Sequence, residues 1–309
     1  MNGKGNPLIS VIMVDGSFRE SFHAIDFFHN QTFDDFELLW VEYYDRIDPR
    51  LQEKLDKRPN FRSLPLGKQG IYHSSYCFNA GVIASRADLV VIVDGDVAVE
   101  NDFVRRVWNE HVGHDKLVMY VHRCNEPREK HAPDISLEHL RKVCRVTNPE
   151  NYGGCLTVRK KWLLEINGYE QHAVFSHGEH ANGRDVYTRL RNLGLHVAWN
   201  PDLRLYHPWH RGTLASAPSY RLQRIIIDHR AVSLSTSAFE GIDSSRNCAP
   251  PPEVLARIDA ERASIAQTAR NEAEKARSGE AAGGRGVALA RAVDRARRIA
   301  ARLLGVRVQ

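Results

Sequence analysis

Two carboxylates spaced by one glycine, Asp94-Gly95-Asp96, end an unbroken apolar run from Leu89 to Val93. The run is too short and too β-branched for a helix. It reads as a strand buried on both faces, as in a parallel sheet. The carboxylates then sit at the strand's C-terminal end, where open α/β sheets place their ligands. Two such groups held together repel, and a cation beside them relieves the repulsion. Hard oxygen ligands suit Mg2+ or Mn2+, which commonly bridge to phosphates. The same three residues also make an ordinary polar turn, so the motif alone leaves both readings open.

The elements that must position this motif read as follows. Leu8 to Val14 is a first buried strand, closed by Asp15-Gly16-Ser17. Glu20 to Asn30 has helical spacing, and Phe36 to Val41 is a second strand ending in Glu42. Ser74 to Ala84 reads as a helix leading into the strand at Leu89. Strand, helix, strand, loop, helix, strand is the pattern of a doubly wound α/β unit. Right-handed crossovers bring the three strand ends to one edge. Asp15, Glu42, Asp94 and Asp96 would then line one crevice.

Beyond Asp96 the pattern predicts a helix over Phe103 to His111 and a strand over Lys116 to His122. The polar stretch from Arg123 to Asn151 resists assignment. A glycine-led strand follows over Asn151 to Val158, then a short helix over Arg159 to Ile166 and another over Asp185 to Leu193, ended by Gly194. Two short strands, His196 to Trp199 and Leu203 to Tyr206, precede His207-Pro-Trp-His210. The proline run at 250–252 breaks the chain. A helix over Glu253 to Arg277, a glycine-rich joint over Ser278 to Gly286 and a basic amphipathic helix over Val287 to Val306 complete it. The expected domains are residues 1–246, catalytic, and 247–309, a proline linker with a helical, basic tail.

Composition bounds the class. The chain has 309 residues, 42% hydrophobic and 26% charged, which is globular. The net charge of +5 is concentrated at the end: seven arginines against Asp294 make residues 285–309 +6, leaving residues 1–284 at −1. The main body therefore has no basic character to bind nucleic acid. The tail helix could lie on an anionic membrane surface, or pack on protein with its arginines solvated. Five scattered cysteines without a CxxC pair suggest free thiols of a cytoplasmic protein. The opening residues contain no apolar signal-peptide core.

Four segments resemble a family 2 glycosyltransferase of the GT-A fold. "PLISVIMVDGSFRESFHAIDFFHNQTFDDFELLWVE" is similar to the family's opening, Asn30-Gln31-Thr32 included. "CFNAGVIASRADLVVIVDGD" resembles its asparagine-containing helix and DxD strand. "GGCLTVRKKWLLEINGYE" resembles the acceptor-side segment, and "GRDVYTRLRNLGLHVAWNPDLRLYHPWH" the closing helix, strand and metal-site histidine. The resemblance covers roughly residues 7 to 213, each motif weak but all in order.

The resemblance implies a doubly wound, mostly parallel sheet and a nucleotide-sugar donor, a UDP-sugar first. Val14, Asp15, Ser17 and Glu42 would hold the nucleoside. Asn79 would reach the sugar or diphosphate, or cap local backbone. Asp94, Gly95 and Asp96 would take the diphosphate through Mn2+ or Mg2+, with His207, or its rival His210, completing the metal shell. Inverting transfer needs a general base beside the acceptor hydroxyl. Here the sequence departs from the family pattern, because the base position falls near Gly183. Glu179 is the first choice for the base, Asp185 the second, with His180 a further option. The acceptor would be a glycan or lipid-linked sugar of surface polysaccharide synthesis, reached at the cytoplasmic face of the membrane. Two alternatives stand beside this. One is a degenerate member that binds a nucleotide-sugar or a partner without turnover. The other is a sugar-phosphate nucleotidyltransferase, disfavoured because Asp15-Gly-Ser-Phe-Arg19 offers a single glycine and a single arginine after the first strand.

Overall fold

The apolar runs form strands that cross back and forth through helices, and their order sets where the acidic residues meet. The computed structural model describes residues 6–176, 181–211 and 217–280. In chain order the elements are β1 (Ile9–Asp15), α1 (His23–His29), β2 (Phe36–Glu42), α2 (Pro49–Leu55), β3 (Phe61–Pro65), α3 (Ser74–Ala84), β4 (Leu89–Val93), α4 (Phe103–His111) and β5 (Leu117–Asn125). They continue with α5 (Leu137–Val143), β6 (Arg145–Val146), β7 (Cys155–Arg159), α6 (Lys160–Glu165), α7 (Ala181–Asn192), β8 (His196–His207), α8 (Ala217–Ser233) and α9 (Pro252–Glu280).

Eight strands make one sheet in the order β3-β2-β1-β4-β7-β5-β6, with β8 paired to β5. The first four are mutually parallel. Strand β7 enters antiparallel between β4 and β5. The expected α/β architecture with a mostly parallel sheet is thus present, together with a C-terminal helix. Register places Asp15 opposite Glu42 at the ends of β1 and β2, while Ile12 pairs with Ile92 of β4. The DGD motif therefore emerges at the same edge.

Every residue of β1, β2 and β4 is buried. Alternate residues feed the two faces: Ile9, Val11 and Met13 pack on one side, Ile12 and Val14 on the other. Helix α3 lies close over β1 because Gly81 carries no side chain. A Cβ there would come within 2.5 Å of Ile12 Cγ2.

The structure departs from the sequence expectation in the less patterned stretches. Helix α2 and strand β3 occupy what reads as a loop; both are short, and β3 is an edge strand with only Phe61 buried. The region from Arg123 to Asn151 holds α5 and the two-residue β6. The two late strands are one, β8, whose pairing with β5 shifts register after Val121. Helix α7 begins at Ala181, not Asp185, and α8 was not foreseen. The joint at 278–286 and the tail helix at 287–306 lie almost wholly outside the described residues. No described helix is long and apolar enough to cross a membrane.

By packing, the chain divides into two units. One comprises Met1–Gln223 and Ile227–Ala249, and the other Arg224–Ile226 and Pro250–Gln309. Within the first, a buried ionic network joins α7 and α8 to the loop after α6. Arg189 donates from Nε to Asp185 Oδ2 at 2.9 Å and from Nη1 to Ile166 and Gly168 O, each at 2.7 Å. Arg230 bridges Asp185 and Glu170 through its two Nη groups. Glu170 also accepts from the amides of His172, Phe239 and Glu240. All four ionic side chains but Glu170 are wholly buried, and Glu170 is 1% exposed. Stripping one partner from such a network leaves a buried charge unpaired. Arg230→Met should therefore lower unfolding stability by about 3–5 kcal/mol, read as a fall in the urea midpoint.

Candidate active site

Three side chains converge just past β4. Asp96, His207 and His210 bring one carboxylate oxygen and two imidazole nitrogens within 4.8 Å of one another, the one such group among the described residues. The chain path explains the meeting. Ala98, two residues beyond Asp96, forms an antiparallel bridge with Tyr206 through Ala98 N to Tyr206 O at 2.7 Å and the reverse bond at 2.9 Å. The end of β8 is thereby held against the DGD turn. His207 Nε2 lies 3.6 Å from Asp96 Oδ1, and His210 Nε2 3.4 Å from Asp96 Oδ2. The two Nε2 atoms are 3.2 Å apart.

This set fits a divalent ion. Asp96 Oδ1 is buried and has no hydrogen-bond partner, which leaves a lone-pair acceptor aimed into the cluster. Burial lowers the His207 imidazole to about 4 against the pull of Asp96, so it is neutral, the form that ligates metal. Hydrogen bonding to Asp96 raises His210. Burial opposes the charge on Asp96, but Arg19 and the two histidines override it and hold the carboxyl well below the usual range. Two imidazoles and a carboxylate suit Mn2+ better than Mg2+, which prefers oxygen throughout.

Asp94, expected on the same ion, is not in this group. A turn at Gly95–Asp96 separates the two carboxylates, and Asp94 Oδ2 accepts from Arg123 Nη1 at 3.2 Å. Burial and the neighbouring Asp96 charge push Asp94 up to about 6 in spite of Arg123. Asp96 has its own arginine: Arg19 Nη1 donates to Oδ2, and Arg19 Nε lies 3.8 Å from Asp15 Oδ1. Gly95 admits this arrangement, since a Cβ there would sit 3.0 Å from Arg19 Nε and 2.8 Å from Trp40.

The expected nucleoside residues share the same edge, but several are committed to the protein. Glu42, 3% exposed, accepts from Ser17 N at 3.2 Å, Ser17 Oγ at 3.0 Å and Tyr44 N at 3.1 Å. It fixes the loop after β1, where Ser17 has a left-handed φ of 55°. The Glu42 carboxylate is thus engaged with the protein's own backbone and the Ser17 hydroxyl. Val14 packs in the core with Tyr43 and Tyr72. The Tyr72 ring fills the space beside Gly16, 2.4 Å from where a Cβ would be, and meets Phe18 and Tyr43 edge-on at 5.3 and 5.4 Å. Asn79 does not reach the crevice: its amide closes a two-bond ring with the Tyr169 backbone at 2.7 and 2.9 Å.

Of the base candidates, Glu179 and His180 lie outside the described residues. Asp185 is 0% exposed and clamped by Arg189 and Arg230, so it anchors α7 and faces no acceptor. Gly183 is required by packing, because a Cβ would meet the Tyr152 carbonyl oxygen at 2.1 Å.

Sequence reading missed Arg19, Arg123 and Glu126. Glu126 lies in the stretch that resisted assignment. Its carboxylate accepts from His131 Nδ1 at 2.8 Å, His139 Nε2 at 2.8 Å, Ala132 N at 3.2 Å and Trp209 N at 2.8 Å. Its own amide donates to His207 O at 2.9 Å. Glu126 thus ties down His207 and Trp209 of the His207–His210 segment. No local sequence pattern marks it, since its partners come from three separate segments.

Burial pushes the Asp15 carboxyl up to about 6 despite Arg19, with Glu42 adding to the rise. The folded state therefore holds this proton more tightly than the unfolded chain. The stability it confers is full below about pH 4 and lost as pH rises through about 6. Asp15→Asn should remove that slope. Its stability relative to wild type should rise by roughly 1–2 kcal/mol between pH 4 and 7.5, measured by urea unfolding at both.

No protein-family model matches the sequence, and no curated protein sequence matches it. Among solved structures the fold is similar to that of S. aureus TarS. The structure of TarS 1–349 aligns with a TM-score of 0.51 and 16% identity, over 84% of this chain and 73% of that one. The complex of TarS 1–349 with UDP aligns at 0.51 and 15%, over 71% and 64%. A longer TarS structure aligns at 0.52 and 14%, over 82% of this chain and 43% of that one, so the chain spans less than half of it. At this identity the likeness is one of fold.

Proposed function

We propose that the chain is a metal-dependent, inverting glycosyltransferase. It would move a hexose-type sugar from a nucleotide-diphosphate donor, a UDP-sugar first, to a glycan or lipid-linked acceptor of surface polysaccharide synthesis. The observation that carries this reading is the convergence of Asp96, His207 and His210 at the sheet edge where β1, β2 and β4 end. The sequence resemblance to family 2 glycosyltransferases supports it. So does the fold shared with TarS, one of whose structures is a complex with UDP.

In this reading the protein's own residues divide the work. Asp96, His207 and His210 hold the divalent ion, which when bound neutralises the diphosphate as the sugar leaves. Arg123, beside Asp94, adds a cation on the same edge. The loop from Val14 to Ser17, shaped by Glu42, and the Tyr72 ring form the nucleoside wall. Glu126 keeps the histidine segment in place. Glu179 is the first choice for the general base, with His180 the further option, because Asp185 is sealed in its ion pairs and Gly183 has no side chain. Catalysis would be cytoplasmic.

One observation favours a second reading, a nucleotide-sugar-binding protein without turnover. The position where the resemblance places the base is Gly183, packed against the Tyr152 carbonyl. Donor hydrolysis separates the two: the enzyme hydrolyses its donor slowly without acceptor, and Glu179→Gln abolishes this while donor binding persists. The donor site itself is tested by calorimetric titration of UDP and GDP, with and without Mn2+, into wild type and Asp96→Ala. The reading predicts Mn2+-dependent UDP binding that weakens at least tenfold in the variant. Equal binding by both proteins would sink it.

A further inference from the structure

We propose that Arg19 is a resident counter-cation that competes with the divalent ion for Asp96 and, once displaced, grips the donor diphosphate. The inference rests on the metal-dependent donor site proposed above and goes beyond it by assigning an exchange of cations. Arg19 sits on the loop after β1 with its guanidinium drawn into the acidic edge. Nη1 donates to Asp96 Oδ2, and that same oxygen is the one 3.4 Å from His210 Nε2. An ion held by Asp96 and the two histidines would therefore share a carboxylate with a fixed positive charge. Like charges at contact distance in a partly desolvated site repel strongly.

The hold of Arg19 on the motif is also incomplete. Its Nε is buried without a hydrogen-bond partner and lies 3.8 Å from Asp15 Oδ1, beyond hydrogen-bond reach. The bare backbone of Gly95 lets the guanidinium lie across the motif. When an ion neutralises Asp96, the attraction that keeps Arg19 there falls. A planar guanidinium has the geometry to take two phosphate oxygens at once, and a long side chain can reorient while its loop stays fixed by Glu42. Binding of metal and of donor would then be coupled through one residue: the ion frees Arg19, and the diphosphate occupies it.

The test is Mn2+ binding by the full chain, followed by electron paramagnetic resonance without nucleotide, and UDP binding at saturating Mn2+ by calorimetry. Arg19→Met keeps the length and removes the charge. It should bind Mn2+ on the order of tenfold more tightly than wild type, yet bind UDP about tenfold more weakly. Arg19→Lys, which keeps the charge, should leave Mn2+ affinity near wild type and lose part of the UDP affinity. If the methionine variant has no melting transition, Arg19→Gln serves in its place. Mn2+ affinity unchanged or weakened by loss of the charge would overturn the exchange, as would undiminished UDP binding. Failure of the underlying site looks different: wild type, Arg19→Met and Asp96→Ala would then show the same Mn2+ behaviour, and both proposals would fall together.

Discussion

A carboxylate at the end of a buried strand must be neutralised, and this sheet puts several at one edge. Parallel pairing of β1 with β2 and β4 delivers Asp15, Glu42, Asp94 and Asp96 together. A carboxylate buried there without a partner would be costly. The protein answers each differently. Glu42 is satisfied by the backbone and hydroxyl of Ser17 and the Tyr44 amide. Asp94 takes Arg123 and Asp96 takes Arg19, while Asp15 keeps a raised pKa. Of the four, only Asp96 also faces two imidazoles, and the three make the one such ligand group among the described residues. Both DGD carboxylates thus meet an arginine, and Asp96 alone of the two also faces the histidine pair.

The rest of the site serves that geometry. The Ala98–Tyr206 bridge brings the end of β8 to the motif, and Glu126 fixes the segment that carries His207 and His210 through Trp209 N and the His207 carbonyl. Farther away, Asp185, Arg189, Glu170 and Arg230 lock α7 and α8 to the loop after α6. This second network is wholly interior. Its value is in fixing the helices, since a buried ionic cluster earns little net stability by itself.

Much of the frame was legible in the sequence because burial writes itself as apolar runs. β1, β2, β4 and α3 are fully or largely buried, and their pattern pointed to the doubly wound sheet and the acidic edge. Edge and bridging elements such as β3 and β6 have little buried surface, so they leave little pattern. Asp96 stood out by its place at a strand end, and His207 by its place at the close of the last strand, which the family resemblance marks. Arg19 did not, since its partner lies 77 residues on, and Glu126 draws on segments brought together only by the fold. Asn79 and Asp185 were placed in the site by motif position. Their side chains turn inward instead, one to the Tyr169 backbone and the other to two arginines. Motif order locates a residue along the chain but does not say which face its side chain takes.

The central claim is that Asp96, His207 and His210 together hold a divalent ion at a nucleotide-sugar site. Anomalous diffraction from crystals grown with Mn2+ and UDP tests it most directly. The account predicts a manganese peak within about 2.0–2.3 Å of Asp96 Oδ and of both histidine Nε2 atoms, with the UDP diphosphate against it and the nucleoside beside Val14 to Ser17. A peak away from these three residues, or UDP bound in good density with no ion at Asp96, would contradict it.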